Sequence, residues 1–101
     1  MTRSKKNIKI QIELTGIAKS IAEKGIIDLR IPANSTYHDI VERLASDYPD
    51  LVNILIDPDR KKFLSSNLFI INGEMTSPVF EMEKHPRDGD RLTLVSVMTG
   101  G

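Results

Sequence analysis

Ile8-Lys9-Ile10-Gln11-Ile12-Glu13-Leu14 alternates apolar and polar residues without a break. A period of two is the signature of a half-buried strand, so Ile8, Ile10, Ile12 and Leu14 face a core while Lys9, Gln11 and Glu13 face water. Downstream, Gly16 to Gly25 reads as a connection bounded by glycines. Ile17, Ala18 and Ile21 give it some helical character, but a stable helix is not expected there. Ile26 to Ile31 is a second strand with Ile27, Leu29 and Ile31 on one face, and Pro32 stops it because proline has no N–H to give a ladder. The two strands are expected to be antiparallel neighbours.

Ser35-Thr36 opens the main helix. Thr36 followed by Asp39 approximates a capping box, and Ile40, Val41, Leu44, Ala45 and Tyr48 share one helical face. Asp39, Glu42, Arg43 and Asp47 line the other. Tyr48-Pro49 ends the helix, since a residue before proline avoids the helical region. Leu51, Val52, Leu55 and Ile56 suggest a second short helical turn closed by Asp57-Pro58. Asp57 to Ser66 is polar and loop-like. Its acidic and basic residues read as a solvated turn, because a calcium loop needs a glycine and a terminal glutamate that are missing.

Asn67 to Ile71 is a third strand. Asn72-Gly73 after it is a strong hairpin signal, because both residues tolerate positive φ. The returning arm, about Glu74 to Phe80, contains Pro78 and belongs at a sheet edge. Asp88-Gly89-Asp90 is a further turn, and Arg91 to Met98 is the last strand. The sequence thus predicts one α+β domain over residues 1–101: a mixed sheet of four to five strands with one main helix across one face. The first and last strands run parallel if they pair centrally. Residues 1–6 are expected to be frayed, and residues 98–101 to form a flexible tail.

Composition narrows the chemistry. Among 101 residues there is no cysteine, which removes disulfides, cysteine zinc sites and thiol nucleophiles together. Lys and Arg total 14, and so do Asp and Glu, so the basic surplus of a nucleic-acid binder is missing. Arg3-Ser4-Lys5-Lys6 reads as a solvated chain end. No apolar run approaches the roughly 20 residues of a membrane span. A cytoplasmic protein, monomeric on its own, is the expectation. His38 and His85 stand far apart without a third ligand at metal spacing, and no glycine-rich loop joins a strand to a helix. No catalytic residue, metal site or bound cofactor is therefore expected.

The C-terminus carries the remaining signal. Two terminal glycines arise by chance in roughly one chain in 200 at average glycine usage of about 7%. Gly100 and Gly101 lie a few residues past the last strand, so a carboxylate projects on a short arm. Without a Cβ, this arm can thread a narrow channel in a partner. A carboxylate is a poor acyl donor until it is activated, most simply as an acyl-adenylate made from ATP by another protein. If Leu92 and Leu94 point inward, Thr93, Val95 and Val97 point outward. Val95, Val97, Met98 and Thr99 then make a candidate docking surface beside the tail.

Asn72-Gly73 in a hairpin, Asp88-Gly89-Asp90 before the last strand, the helix begun by Thr36 after Pro32, and terminal Gly100-Gly101 together resemble the MoaD/ThiS family. These are small ubiquitin-like β-grasp sulfur carriers, and the similarity runs from Ile8 to Gly101. It implies that Gly101 is adenylated by a MoeB/ThiF-like activating enzyme using ATP and converted to a thiocarboxylate, with Gly100 giving threading room. The sulfur would go to molybdopterin- or thiamine-type cofactor synthesis or a related pathway. In a molybdopterin synthase-like complex, the chain would be the non-catalytic small subunit beside a large-subunit acceptor. Two departures stand out. Ser96-Val97-Met98-Thr99 occupies the place where MoaD proteins commonly carry two prolines, and the chain exceeds typical ThiS proteins in 16–25 and 50–66. Leu94-Val95-Ser96 before Gly-Gly also resembles the ubiquitin-related modifiers. The alternative is therefore a modifier joined through Gly101 to lysines. A third reading is a binding module whose tail is incidental.

Overall fold

The computed structural model describes residues 6–64 and 67–96, with side chains for all of these except Met75 and Thr76. In chain order they form β1 (Asn7–Leu14), α1 (Gly16–Ala22), β2 (Ile26–Pro32), α2 (Tyr37–Asp47), a 3-10 turn (Pro49–Leu51), β3 (Asn67–Ile71), β4 (Glu74–Pro78) and β5 (Arg91–Ser96). The five strands make one mixed sheet in the order β2-β1-β5-β3-β4. β1 pairs antiparallel with β2 and parallel with β5, and β3 pairs antiparallel with both β4 and β5. The expected parallel pairing of first and last strands is present, from Gln11 opposite Arg91 to Leu14 opposite Leu94.

The alternation in β1 does what its period requires. Ile10, Ile12 and Leu14 are buried, as are Ile27, Leu29 and Ile31 of β2, while their even-numbered neighbours in β2 are exposed. α2 contributes Tyr37, Ile40, Val41, Leu44 and Ala45 to the same core, with Phe69, Leu92 and Leu94 from the sheet. The capping box is complete. Asp39 N donates to Thr36 Oγ1 (3.2 Å), and Thr36 N donates to Asp39 Oδ2 (2.9 Å). Aspartate is short for this task, but it reaches. β4 lies at the sheet edge, where Pro78 is tolerated.

Two connections differ from expectation. Residues 16–22 form a seven-residue helix. Gly16 enters it at φ +56°, and Glu23 leaves it in the left-handed region at φ +58°. Buried Ala18 and partly buried Ile21 and Ala22 hold it on the core. Tertiary contact decides this helix, since one of two turns is marginal alone. Thr15 does not cap it. Its Oγ1 donates instead to the Leu94 carbonyl of β5 (2.8 Å).

The second helical turn expected from Leu51 to Ile56 is also replaced. After the 3-10 turn, Asn53 takes φ +75° and donates its N–H to the Ile56 carbonyl, which turns the chain out of helical geometry. Ile56 then bridges Val52 and Phe63, so Leu51, Leu55 and Ile56 are buried without a helix. The polar stretch after it is a series of side-chain-closed turns. Asp57 Oδ1 accepts from Asp59 N (2.9 Å), and Asp59 Oδ1 accepts from Lys61 N (2.8 Å).

Candidate functional site

β5 is the strand from which the tail departs, and it is held along its whole length. At its start, the turn before it is bound to β1. Gly89 N donates to the Lys9 carbonyl (2.7 Å), Lys9 N to Asp88 Oδ1 (2.8 Å) and Gln11 N to the Asp90 carbonyl (3.0 Å). Gly89 sits at φ +88°, a conformation that glycine adopts without penalty. Across the strand, the β3–β4 turn is locked to Arg91. Asn72 N donates to the Arg91 carbonyl (2.7 Å), and Arg91 N donates to Asn72 Oδ1 (2.9 Å). The Asn72-Gly73 pair therefore does more than close a hairpin. At the far end, Thr15 grips the Leu94 carbonyl, and the Ser96 hydroxyl hydrogen-bonds Asn67 Oδ1.

Leu92 and Leu94 point into the core and are 0% and 2% exposed. On the opposite face, Thr93 lies across from Ile70, and half-buried Val95 lies across from half-buried Leu68. Thr93 is on the face expected, yet it is buried. Its Oγ1 donates to Glu13 Oε1 (3.0 Å). Ile70 is also buried, although it lies outside the main core cluster, and its other cross-strand partner is Pro78. The outer face along β3 and β5 thus carries Leu68, Ile70 and Val95, with Arg91 Nε 3.9 Å from Glu13 Oε1 alongside.

Leu68 and Ile70 are absent from the sequence-derived docking surface. The signal was the unbroken apolar run Leu68-Phe69-Ile70-Ile71, which marks a strand with apolar side chains on both faces. Of the residues named from sequence, Val95 is at this surface. Val97, Met98, Thr99, Gly100 and Gly101 lie outside the described residues, as does the start of the basic run at Arg3 and Lys5.

The histidines are separate. His38 Nδ1 lies against the Lys61 carbonyl, and His85 Nδ1 against the Ser35 carbonyl (3.0 Å). Among the described residues, no three metal-ligating side chains converge, and no helix is long and apolar enough to cross a membrane.

A five-stranded mixed sheet with a parallel central pair and a helix across one face is the ubiquitin-like β-grasp. The chain belongs to the ThiS family, whose model matches residues 12–101 and so runs through the tail. A curated relative, the ubiquitin-related modifier 1 homolog of Caenorhabditis elegans, is 26% identical over 98 residues, covering 93% of this chain and 97% of that protein. Among solved structures, SAMP1 from Haloferax volcanii superposes with a TM-score of 0.74 at 18% identity, covering 92% of this chain and 99% of that one. The putative molybdopterin converting factor subunit 1 from Pyrococcus furiosus gives 0.68 at 14% identity, covering 90% and 99%. The fold is therefore the one shared by sulfur carriers and ubiquitin-like modifiers.

Proposed function

We propose that this chain is a sulfur carrier that works through the carboxyl group of Gly101. Its carboxylate attacks the α-phosphorus of ATP on an activating enzyme and pyrophosphate leaves. A sulfur nucleophile then attacks the acyl carbon and AMP leaves. If the nucleophile is a persulfide, a thiol cuts the resulting acyl disulfide and releases the thiocarboxylate. Side chains of this protein take no part in proton transfer. Its contribution is positional.

The observation that carries this reading is the seating of β5, bonded at both ends and buried at Leu92 and Leu94. Five residues separate Ser96 from the Gly101 carboxylate. At full extension they reach about 17 Å, enough to enter a partner's active site while the domain docks outside. Half-buried Leu68 and Val95, backed by buried Ile70, supply the docking face for the activating enzyme and then for the acceptor.

Appending one alanine after Gly101 is expected to abolish adenylation and thiocarboxylate formation, read by pyrophosphate exchange and intact mass. An extended protein that still forms the thiocarboxylate without being trimmed overturns the proposal. Changing Leu68 and Val95 together to aspartate is expected to lower the adenylation rate tenfold or more, since each desolvated contact carries about 1 kcal/mol or more at an interface core. Unchanged kinetics in that double variant discards the docking face.

A second reading is supported by the modifier relative, which spans nearly the whole chain, and by the tail's departure from the double-proline pattern. Here the same adenylate leads to an amide with a lysine of a target protein, whereas delivery of sulfur to tRNA instead of to a cofactor stays within the carrier reading. Branched Gly-Gly remnants on lysines in digests of cellular protein would support the modifier. An oxygen-to-sulfur mass exchange at Gly101 supports the carrier.

A further inference from the structure

β2 is an edge strand, and its hydrogen-bonding parity is fixed by its partner. Leu14 N donates to the Gly25 carbonyl and Ala33 N to the Lys6 carbonyl, so odd-numbered residues of β2 bond inward to β1. The main-chain groups of Ile26, Asp28 and Arg30 therefore point to the open edge. Pro32 closes that edge: it has no N–H, and its carbonyl already accepts from Ser35 N (3.0 Å).

The side chains of Asp28 and Arg30 are exposed on the outer face of the sheet. Arg30 lies opposite Lys9 in register and has no acidic partner among the described residues. Asp28 accepts a hydrogen bond from Gln11 (3.1 Å).

We infer that β2 pairs antiparallel with β2 of a second copy of this chain, about a two-fold axis through Leu29. In this register Asp28 of each copy stands opposite Arg30 of the other. Each such pair exchanges both main-chain bonds, which makes four hydrogen bonds in all. Exposed Ile26 falls opposite exposed Pro32 at each end. Moving the axis by one residue sets Asp28 against Asp28 or Arg30 against Arg30, so charge selects a single register.

Charged residues on an edge strand commonly serve to keep edges apart. Here their signs alternate so that an antiparallel copy is the matching partner. The pairing leaves Leu68 and Val95 uncovered, because β5 is two strands away from the new contact and β3 lies beyond it. The two β5 strands would lie about five strand spacings, roughly 24 Å, apart and run in opposite directions. Each tail then serves its own partner. The inference is independent of what the tail carries. With so few residues a side, the dimer is weak and forms at concentrations on the order of 100 μM to 1 mM.

Sedimentation velocity at low salt over that range tests it, with circular dichroism confirming that each variant is folded. The wild type should self-associate. Asp28→Arg and Arg30→Asp, which set like charges opposite one another, should each weaken association about tenfold or more. An equimolar mixture of these two variants should recover it, since one strand is then basic at both positions and the strand facing it acidic at both. The double swap in one chain should recover it too. A wild type that stays monomeric throughout overturns the inference. So do single variants that associate like wild type, or a mixture that fails to recover.

Discussion

At Gly89 the backbone takes φ +88°, and a Cβ added there would meet no atom within 4 Å. Gly89→Ala therefore isolates the conformational cost of a left-handed residue, about 1–2 kcal/mol, with no steric clash added. Urea denaturation should register that loss. Faster hydrogen exchange at the Lys9 and Gln11 amides should accompany it, because both donate to the turn that fastens β5 to β1. Tyr37 offers a second test at the same scale. Burial raises its phenol above the ordinary 10.0, Asp90 raises it further, and Arg87 opposes both. The folded state thus keeps a proton that the unfolded chain releases. That contribution to stability is fully present below pH 10 and is lost as pH rises through the higher folded value. Urea midpoints should fall from about pH 10 upward in the wild type. In Tyr37→Phe this part of the pH dependence should vanish.

Among the elements, α2 is legible in the sequence because two local rules agree over the same residues: a reciprocal cap at Thr36 and Asp39, and an apolar stripe from Ile40 to Ala45. Thr36→Ala is expected to cost about 1 kcal/mol, since the N–H of Asp39 loses its acceptor. Thermal melts of that variant and of Asp39→Ala should show both falling, with the double variant short of the sum, because each single change already breaks the reciprocal pair. β1, β2 and the Asn72-Gly73 hairpin are legible for similar reasons: strict alternation, a proline stop and a turn dipeptide. α1 is not, because seven residues carry too little local signal and what holds it is Ala18 buried in the tertiary core. Leu51, Val52, Leu55 and Ile56 fit a helical spacing, yet the chain leaves helical geometry after Leu51. Asn53 at φ +75° was the hidden determinant. At the candidate site, Val95 followed from alternation along β5. Leu68 and Ile70 did not, since which face of an all-apolar strand stays outside depends on its pairing with β5.

Over the whole molecule, the buried core found among the described residues runs from Ile10 to Leu94. The strand that launches the tail is also the middle strand of the sheet, flanked by β1 and β3. The described sheet and core end with β5 at Ser96, while the proposed activity rests on Gly101, five residues further on. This separation has a measurable consequence. Removing residues 97–101 leaves in place the core side chains and strand pairings found among the described residues, and both bonds that fasten β5 at Asn72 and Thr15. The truncated protein should melt within about 3 °C of the full chain, the shift that roughly 0.5 kcal/mol produces in a domain of this size. It should also keep its affinity for the activating enzyme to within about tenfold, since Leu68 and Val95 remain, while forming no adenylate. A truncated protein that melts far lower would mean the arm is part of the fold. One that keeps its stability but loses all binding would move the docking energy from the sheet face to the tail itself.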